Sequence, residues 1–373
     1  MKADGLKIAL ECLRGSVSTQ WDSVEIDHTT LRTSDGIRWA EVTLADSIPA
    51  RMILCYSKLR SIVSIVKTLR DKADIEIAPE GASCLVKAPP TMWQLSLRQS
   101  TFNSLPEFKK IREIYAPGFI LLEALKRLKH LTQSELSNPE LKWAWTNPND
   151  ELVIGDGFRL GAYHTGIKGL ELPVELLTEI ARILAIQMSQ SVIFQIGEEY
   201  VRATMSGGDI RFQTRLVATS RFPVDWYNTL KNPPDEQAQV MKMSRSELLE
   251  AVKQVRITAQ KSAQSARFKL GPAEGGLSLT SADGDGNTTA TKIEASGVLK
   301  EEISLEVDHL VSALEGLREE MIAMTVRKPV VELSDKEGWK IISGKWEPSE
   351  DTDLESLLSN DITGSSDTGK LKQ

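Results

Sequence analysis

Twelve consecutive residues have the spacing of side chains that bind calcium. The run DGDGNTTATKIE, residues 283–294, places acids or amides at its first, third and fifth positions and a glutamate at its twelfth. A calcium loop of the EF-hand type also needs glycine at the sixth position and a helix on each side. Here the sixth position is Thr288, and the flanking runs GLSLT and ATKIEA are typical of strands. A polar hairpin loop is therefore the favoured interpretation.

Other residues of catalytic or metal-binding type are scattered along the chain. The four histidines are widely separated, and none stands beside a cysteine or carboxylate at metal-ligand spacing. Gly155, Gly157 and Gly161 suggest a phosphate loop, but no helical pattern starts after them. No serine-hydrolase, zinc-protease, Walker-type or paired-carboxylate motif occurs. The sequence therefore predicts neither a metal nor a cofactor, and it favours a scaffold over an enzyme.

Cysteine usage and hydropathy indicate the compartment. Cys12, Cys55 and Cys84 share no CxxC spacing, which is typical of core thiols in a reducing cytoplasm. No apolar run approaches the roughly 20 residues that a membrane helix needs. The start of the chain, MKADGLK, lacks a signal-peptide pattern. A cytoplasmic location is expected.

The net charge of −7 is unevenly distributed. Residues 347–373 hold seven acidic and two basic side chains, so the rest of the chain is close to neutral. Within that body, residues 55–70 carry four cations and no acid, and residues 242–269 carry seven cations against two acids. Basic faces on a near-neutral body suit a polyanion that is contacted on one surface. Solvated helix faces are the alternative interpretation.

One helix-then-strands unit occurs three times, at a spacing of roughly one hundred residues or slightly more. The copies begin with helical patterns at residues 55–69, 172–186 and 305–320. Short runs rich in β-branched residues follow each of them, separated by turns such as PEG, SGGD and DKEG. Further helical patterns at residues 119–133 and 244–260 precede the second and third copies. The repeat predicts an α+β fold of tandem domains, each ordered helix, strands, helix, strands.

Turn-forming and polar segments divide the chain. Residues 104–118 and 231–239 separate the copies, and the sequence after Trp346 cannot bury enough apolar surface to order itself. The predicted parts are a short first domain at 1–113, a second at 114–236, a third at 237–347 and an acidic disordered tail at 348–373.

Residues 221–230, RFPVDWYNTL, follow a run of strands near the second boundary. Pro223 predicts a rigid exit towards the third domain, because its ring fixes the backbone. The aromatic side chains of Phe222, Trp226 and Tyr227 have two interpretations. They belong to the core, or they form the wall of a groove that binds a peptide.

The order of these motifs resembles that of the bacterial sliding clamp, the beta subunit of DNA polymerase III. Residues 155–160, GDGFRL, are similar to the family's T-D-G-H-R-L hairpin, and residues 221–223 match its R-F-P. The resemblance runs from about Phe119 to Trp346. It is weaker in the first domain, where residues 104–108, SLPEF, are the best landmark. The threefold repeat makes the match specific, to a divergent member of the family.

The resemblance implies a ring that encircles duplex DNA in replication and acts as a processivity factor, a subunit without chemistry of its own. Two three-domain chains would join head to tail as a homodimer, with strands outside and two helices per domain lining the channel. Helices of this kind contact phosphates without reading bases, so binding is independent of sequence. By position, the implied channel cations are Lys58, Arg60, Lys67, Lys126, Arg127, Lys129, Lys253 and Arg256.

The resemblance also implies an apolar cleft that accepts short peptides from the polymerase and the clamp loader. Three departures from the family pattern bear on this cleft. Phe158 replaces a histidine, Gly155 replaces a threonine, and SGKW at residues 343–346 replaces the usual Met-Pro-Met-Arg-Leu end. Carried over by match, the cleft residues are Gly157, Phe158, Arg159, Leu160, Pro223, Ile341, Ile342 and Ser343.

An enzyme on the same repeated scaffold is the alternative function. Its site would lie at a domain junction near Asp156 and Arg159. Dependence on DNA topology separates the two interpretations, because only a ring distinguishes closed circular DNA from linear DNA.

Overall fold

The computed structural model describes residues 1–69, 73–99, 105–131, 139–216, 221–231, 238–261, 266–328, 330–343 and 345–346. The predicted tail lies outside these residues. No described helix is long and apolar enough to cross a membrane. The helices are α1 (Ala3–Leu13), α2 (Tyr56–Leu69), α3 (Gly118–Arg127), α4 (Val174–Ile186), α5 (Val224–Lys231), α6 (Arg245–Val255) and α7 (Val307–Glu315).

Each helical pattern in the sequence forms a helix, although the ends differ from the prediction. The third repeat helix, α7, begins only at Val307, because the preceding residues extend into a strand. The helix predicted at residues 119–133 ends at Arg127 and is followed by one 3₁₀ turn. Helix α5 was missed: the chain after Pro223 turns directly into a helix. The N-cap of α6 is Ser244, whose Oγ accepts a hydrogen bond from the Glu247 N–H at 3.1 Å.

The strands follow the β-branched runs of the sequence. In chain order they are β1 (Ser23–Asp27), β2 (Thr30–Ser34), β3 (Arg38–Thr43), β4 (Met52–Cys55), β5 (Glu76–Glu80), β6 (Ser83–Ala88), β7 (Thr91–Ser96), β8 (Arg112–Pro117), β9 (Trp143–Thr146), β10 (Glu151–Gly155), β11 (Arg159–His164), β12 (Glu171–Pro173), β13 (Ser191–Ile196), β14 (Tyr200–Met205), β15 (Ile210–Arg215), β16 (Gln239–Ser244), β17 (Gln260–Lys261), β18 (Ala266–Ala273), β19 (Gly276–Ala282), β20 (Thr288–Ser296), β21 (Ile303–Glu306), β22 (Met321–Arg327), β23 (Val330–Ser334), β24 (Gly338–Ser343) and β25 (Lys345–Trp346).

The first compact unit comprises residues 1–125 and 167–220. Its larger sheet has the strand order β4-β1-β2-β3-β15-β14-β13-β8, and β5-β6-β7 form a separate small sheet. The antiparallel pairing of β3 with β15 is central, with Ala40 opposite Phe212. This pairing joins strands from the first and second predicted domains into one sheet.

The second compact unit comprises residues 126–166 and 221–373. Its sheet runs in the order β9-β10-β11-β24-β23-β22-β16-β20-β19-β18-β21-β25, with β17 paired to β18. Here β11 pairs antiparallel with β24, with Leu160 opposite Ile341. Strands from the second and third predicted domains are thereby joined in the same way as in the first unit. The segment 114–236 supplies strands to both units, and the three domain boundaries stay predictions.

Apolar side chains at helical spacing explain how the helices cover these sheets. On α1, Leu6, Leu10 and Leu13 recur at intervals of three and four residues and are buried. On α6 and α7 the buried sets belong to one core with the inner faces of β18, β19 and β22. The opposite faces of these helices, which carry most of their charged residues, stay accessible to solvent.

Candidate functional site

The β10–β11 hairpin is closed by its own aspartate. The Asp156 carboxylate accepts hydrogen bonds from the backbone N–H groups of Phe158 and Arg159, at 3.1 and 2.8 Å. Gly157 has φ of 92°, a conformation that side chains other than glycine rarely adopt. The hairpin predicted from the sequence is therefore confirmed, and glycine is required at its second turn position.

Arg159 is held inside unit 2 on three sides. Its Nε donates to Asp156 Oδ2 at 2.7 Å, and one terminal nitrogen donates to Ser312 Oγ on α7 at 3.0 Å. Another donates to the carbonyl of His130 at 3.4 Å. Asp156 is buried, and both of its carboxylate oxygens accept hydrogen bonds from Phe158 or Arg159 within the turn. The ion pair of Asp156 and Arg159 therefore stabilises the hairpin. An enzymatic site near this pair stays a prediction.

Removing this buried carboxylate should strongly destabilise the fold. We expect Asp156→Ala to lower the free energy of unfolding by about 3–5 kcal/mol, because Arg159 is left without its counter-charge. Urea denaturation of the full chain measures the change. Asp225→Ala, at an exposed aspartate on α5, is the matched control and should change stability by less than about 0.5 kcal/mol. Equal effects of the two substitutions would contradict the assignment.

The apolar cleft residues come together but are covered. Leu160 and Ile341 face each other across β11 and β24 and are exposed by 0% and 2%. Ile342 is also buried, on the other face of β24 with the core of α6 and α7, and Pro223 is partly buried. Ser343 pairs with Val330 through the backbone. The structure thus brings Leu160 and Ile341 together across β11 and β24, while the role of the predicted cleft residues in binding stays a prediction.

Aromatic side chains belong to the same core cluster as Leu160 and Ile341, which form the floor of the predicted cleft. Trp145 stacks on Phe222 with ring centroids 5.6 Å apart, and it meets Tyr227 edge-on at 5.3 Å. The ring of Tyr227 lies 6.1 Å from that of Trp339, and its hydroxyl oxygen accepts a hydrogen bond from Asn147 Nδ2 at 3.1 Å. Of the two interpretations for the aromatic segment, core packing therefore holds for Phe222 and Tyr227.

Phe158 differs from its neighbours because it is 52% exposed at the tip of the hairpin. Its ring centroid lies 6.3 Å from that of His309 on α7. Phe158 is thus the one large apolar side chain among the predicted cleft residues that a ligand reaches without any movement.

Two cations of α2 form ion pairs with acids of α1. Arg60 Nε donates to Glu11 Oε1 at 2.7 Å, which raises the pKa of Arg60, and Lys67 Nζ lies 2.7 Å from Asp4 Oδ1. Lys58 is exposed and forms no ion pair with any described residue. Sequence reasoning missed these pairs, because the acids lie about 50 residues or more away in the chain.

The cations of α6 show the same pattern. Arg256 pairs with Asp308 on α7 at 3.0 Å, whereas Lys253 is exposed and has no ionic partner in the described part of the chain. Near the end of α3, Lys126 and Lys129 are exposed. Arg127 is partly buried and donates to the Leu317 carbonyl at 3.4 Å. Arg60, Lys67 and Arg256 are therefore partly neutralised by acids of a neighbouring helix.

The calcium-like segment forms a closed hairpin loop, as the sequence predicted. Asp283 accepts hydrogen bonds from the backbone of Asp285 and Asn287, and from the Asn287 side chain at 2.8 Å. These bonds lower the pKa of Asp283. Strands β19 and β20 flank the loop, and no group of metal-ligating side chains is found among the described residues.

The structure reveals one buried ionisable pair that sequence reasoning missed. Lys340 points to the opposite face of β24 from Ile341, and its Nζ has no hydrogen-bond partner among the described residues. Burial lowers its pKa to about 7. Burial and the nearby charge of Lys340 also lower the pKa of His130 to about 3. Lys340 is only 2% exposed, and α7 packs against β24.

No family model matches the sequence, and no curated protein matches it. Comparison of structures, in contrast, finds several bacterial proteins over nearly their whole length. The DNA polymerase III subunit beta of Pseudomonas aeruginosa has a TM-score of 0.77 at 19% identity, covering 92% of this chain and 99% of that one. The Thermotoga maritima beta subunit has a TM-score of 0.78 at 16% identity, covering 93% and 99%. A Bartonella birtlesii sliding clamp bound to griselimycin gives 0.78 at 16%, covering 92% and 98%.

This likeness assigns the chain to the DNA-clamp fold, an α+β architecture of repeated domains. Each of the three matched proteins is a bacterial DNA polymerase III beta subunit. The fold is therefore that of the bacterial sliding clamp. The resemblance stated from the hairpin and the R-F-P motif is confirmed for the fold, at low sequence identity.

Proposed function

We propose that the chain is a DNA sliding clamp, a non-catalytic processivity factor that encircles duplex DNA as a head-to-tail homodimer. The observation that carries this proposal is a strand pairing between domains that occurs twice, together with two strand edges of the same kind that have no partner among the described residues. In unit 1, β3 of the first predicted domain pairs antiparallel with β15, the last strand of the second domain. In unit 2, β11 of the second domain pairs in the same way with β24 of the third. The same rule, applied once more, requires a second chain.

The two open edges are complementary by position. In the third predicted domain β20 corresponds to β3 and β11, and its first seven residues pair only with β19 among the described strands. In the first predicted domain β7 corresponds to β15 and β24, and its outer edge has no partner strand in the described residues. Pairing β7 of one chain with β20 of another repeats the existing junction. Because the contact is heterologous, two chains form a closed ring when the rotation between them brings the second pair of edges together.

An exposed methionine on β7 tests this interface. Met92 is 60% exposed, and Met321 on β22 is 61% exposed but lies away from both open edges. We expect Met92→Glu to weaken the dimer at least about tenfold, since a charge would be buried at the new junction. Met321→Glu should leave it unchanged. Sedimentation velocity measures both, and a wild-type chain that stays monomeric at micromolar concentration would overturn the homodimer.

Topology provides the test of the clamp itself. The protein is incubated with a linear duplex biotinylated at both ends, and streptavidin is added to block the ends. A ring that has threaded onto the duplex should survive a high-salt wash on blocked DNA and slide off unblocked DNA, whereas ordinary phosphate contacts fail in salt on both. Equal retention on the two substrates would exclude a clamp and favour a conventional binding protein or an enzyme.

Partner peptides would bind at the hairpin edge that carries Phe158. Solved clamps of Pseudomonas aeruginosa and Bartonella birtlesii hold griselimycin, which supports a ligand site in this fold. In this chain the site would comprise the turn at residues 157–160, Pro223 and the end of β24. Polymerase and loader peptides are the proposed ligands of this site. The channel is proposed to bind duplex DNA independently of its sequence.

A further inference from the structure

The segment that follows the first predicted domain lies across a junction between domains. The Pro106 carbonyl accepts hydrogen bonds from the side chains of Gln213 on β15 and Arg202 on β14, at 2.9 and 3.3 Å. Arg202 in turn lies over the Phe108 ring, 5.3 Å from its centroid. Gln213 stands opposite Trp39 where β3 pairs with β15. This first linker therefore covers the strand pair that joins the first and second predicted domains.

The segment that follows the second predicted domain covers the next junction. Phe222, Tyr227 and Leu230 belong to one buried cluster with residues of β11 and β24, the strands that join the second and third predicted domains. Ile341 lies in this cluster, whereas Ile342 lies in the core of α6 and α7. The second linker thus packs on the face of the sheet away from the helices, which we call the outer face.

The chain after the third predicted domain begins on the same path. The N–H of Arg98, two residues after β7, donates to the carbonyl of Ile53 on β4 at 2.9 Å. Lys345, two residues after β24, pairs with Ser304 on β21. Ile53 and Ser304 each stand three residues before a repeat helix, α2 or α7. Lys345 is therefore equivalent to the residue from which the first linker runs to its junction.

The sequence of residues 347–373, which lie outside the described part of the chain, repeats the spacing of the first linker. Pro106 and Phe108 stand 8 and 10 residues after Arg98. Three leucines follow Lys345 at similar distances of 9, 12 and 13 residues, namely Leu354, Leu357 and Leu358. The reach is also sufficient. A strand paired with the open edge of β20 lies five strand spacings from β25, roughly 24 Å, and the eight residues from 346 to 354 span about 26 Å when extended.

We propose that residues 347–358 are a third linker, which crosses the outer face of the third domain and anchors its leucines on β6 and β7 of the second chain. The inference rests on the proposed homodimer. The leucines take the place that Phe108 and Phe222 have at the two junctions within one chain. Because this acidic sequence buries too little apolar surface to fold alone, its leucines require the surface of another element.

The surfaces along this path fit the segment. Residues 347–353 contain four acids and no cation. Alternation along β18 and β20 places three cations on the outer face, against the acids Glu294 and Glu302; they are Arg267, Lys269 and Lys292. At the far end, Leu85 and Met92 lie on the face of β6 and β7 opposite the buried Val86 and Leu95, and Met92 is 60% exposed. An acidic crossing followed by an apolar anchor matches both surfaces.

The first test is the strength of the dimer. Leu357→Asp in the full chain should raise the dissociation constant at least about tenfold, because a charge would enter the apolar anchor. Leu371→Asp makes the same substitution beyond the spacing of the linkers and should leave the constant unchanged. Sedimentation velocity over a range of concentrations measures both variants and the wild type. Equal constants for the wild type and Leu357→Asp would overturn the linker and leave the ring intact, whereas a monomeric wild type would overturn the homodimer itself.

The second test is the position of the anchor. Benzoylphenylalanine is placed at position 357 of the full chain and the protein is illuminated. We expect a covalent dimer, whose crosslink mass spectrometry assigns to residues 83–96 of the other chain. The same probe at position 371 is the matched control and should give no such product. The absence of a covalent dimer, or a crosslink within one chain to the hairpin at residues 155–160, would overturn the third linker.

Discussion

Reversing the charges of Lys58 and Lys253 together should greatly weaken binding to duplex DNA. A dimer would lose four cations from its channel, and each phosphate contact adds about 0.9 to the slope of log affinity against log salt. We therefore expect the slope of the Lys58→Glu, Lys253→Glu variant to be shallower by roughly 3–4. Fluorescence anisotropy with a linear duplex over a range of salt concentrations gives this slope directly.

The choice of these two lysines comes from the ion pairs of the helices. Three of the predicted channel cations already form ion pairs at 2.7–3.0 Å, namely Arg60, Lys67 and Arg256. The acids cancel part of the positive potential that these cations would present to DNA. Lys58 and Lys253 have no such partner among the described residues. Reversal at Arg256 should accordingly change the salt slope less than reversal at Lys253.

Lys300 and Lys336 supply the control for this experiment. Both are exposed and lie outside the helices that line the proposed channel. The double variant Lys300→Glu, Lys336→Glu makes the same change of net charge, so any loss of DNA binding that it shares with the first double variant is a long-range effect. Equal slopes for all three proteins would show that α2 and α6 do not face DNA.

The repeat, the hairpin and the strands were predictable because their signals are local. The turn at Asp156 and Gly157 is written in adjacent residues, and β-branched runs mark strands such as β13 and β22. Helix α5 was missed although its signal is present, since a proline before the first turn and an acid within it, Asp225, are typical of a helix start.

Long-range pairs could not be predicted in this way. The indole of Trp226 fills the space beside Gly155, 71 residues away in the chain, and Arg60 and Glu11 are 49 apart. A sequence shows that a glycine replaces a threonine, but only the fold shows which side chain takes the space. The basic character of α2 was likewise visible, while its neutralisation by α1 depends on how the two helices pack.

Replacing Lys340 with methionine should stabilise the protein. The lysine stem passes Gly161 and Gly316, where added Cβ atoms would lie 2.9 and 2.8 Å from it, so the side chain already fills an apolar slot. Methionine has a similar length and no charge to desolvate. Replacement of buried charges by apolar residues of similar volume often stabilises by about 1–4 kcal/mol, and we expect Lys340→Met in this range at neutral pH.

The pH dependence of stability distinguishes removal of the buried charge from better packing as the cause of this stabilisation. The pKa of Lys340 is about 7 in the folded chain, against 10.5 for an unperturbed lysine. Between these values the unfolded chain binds more protons, so the free energy of unfolding rises with pH through this window. The charged or titratable groups near the amine are Asp335, Arg127 and His130. Titration of His130 changes stability only below about pH 6.5, outside the window of Lys340.

Urea denaturation at several pH values should therefore show a rise from about pH 7 to 10 in the wild type and a flatter curve in Lys340→Met. Lys336→Met, at an exposed lysine in the turn before β24, should keep the wild-type curve. A destabilised Lys340→Met protein with an unchanged pH profile would mean that the amine is solvated in the folded chain. With the expected result, β24 carries a buried neutral lysine one residue from the cleft floor. Its protonation below about pH 7 then destabilises the strand on which Ile341 lies.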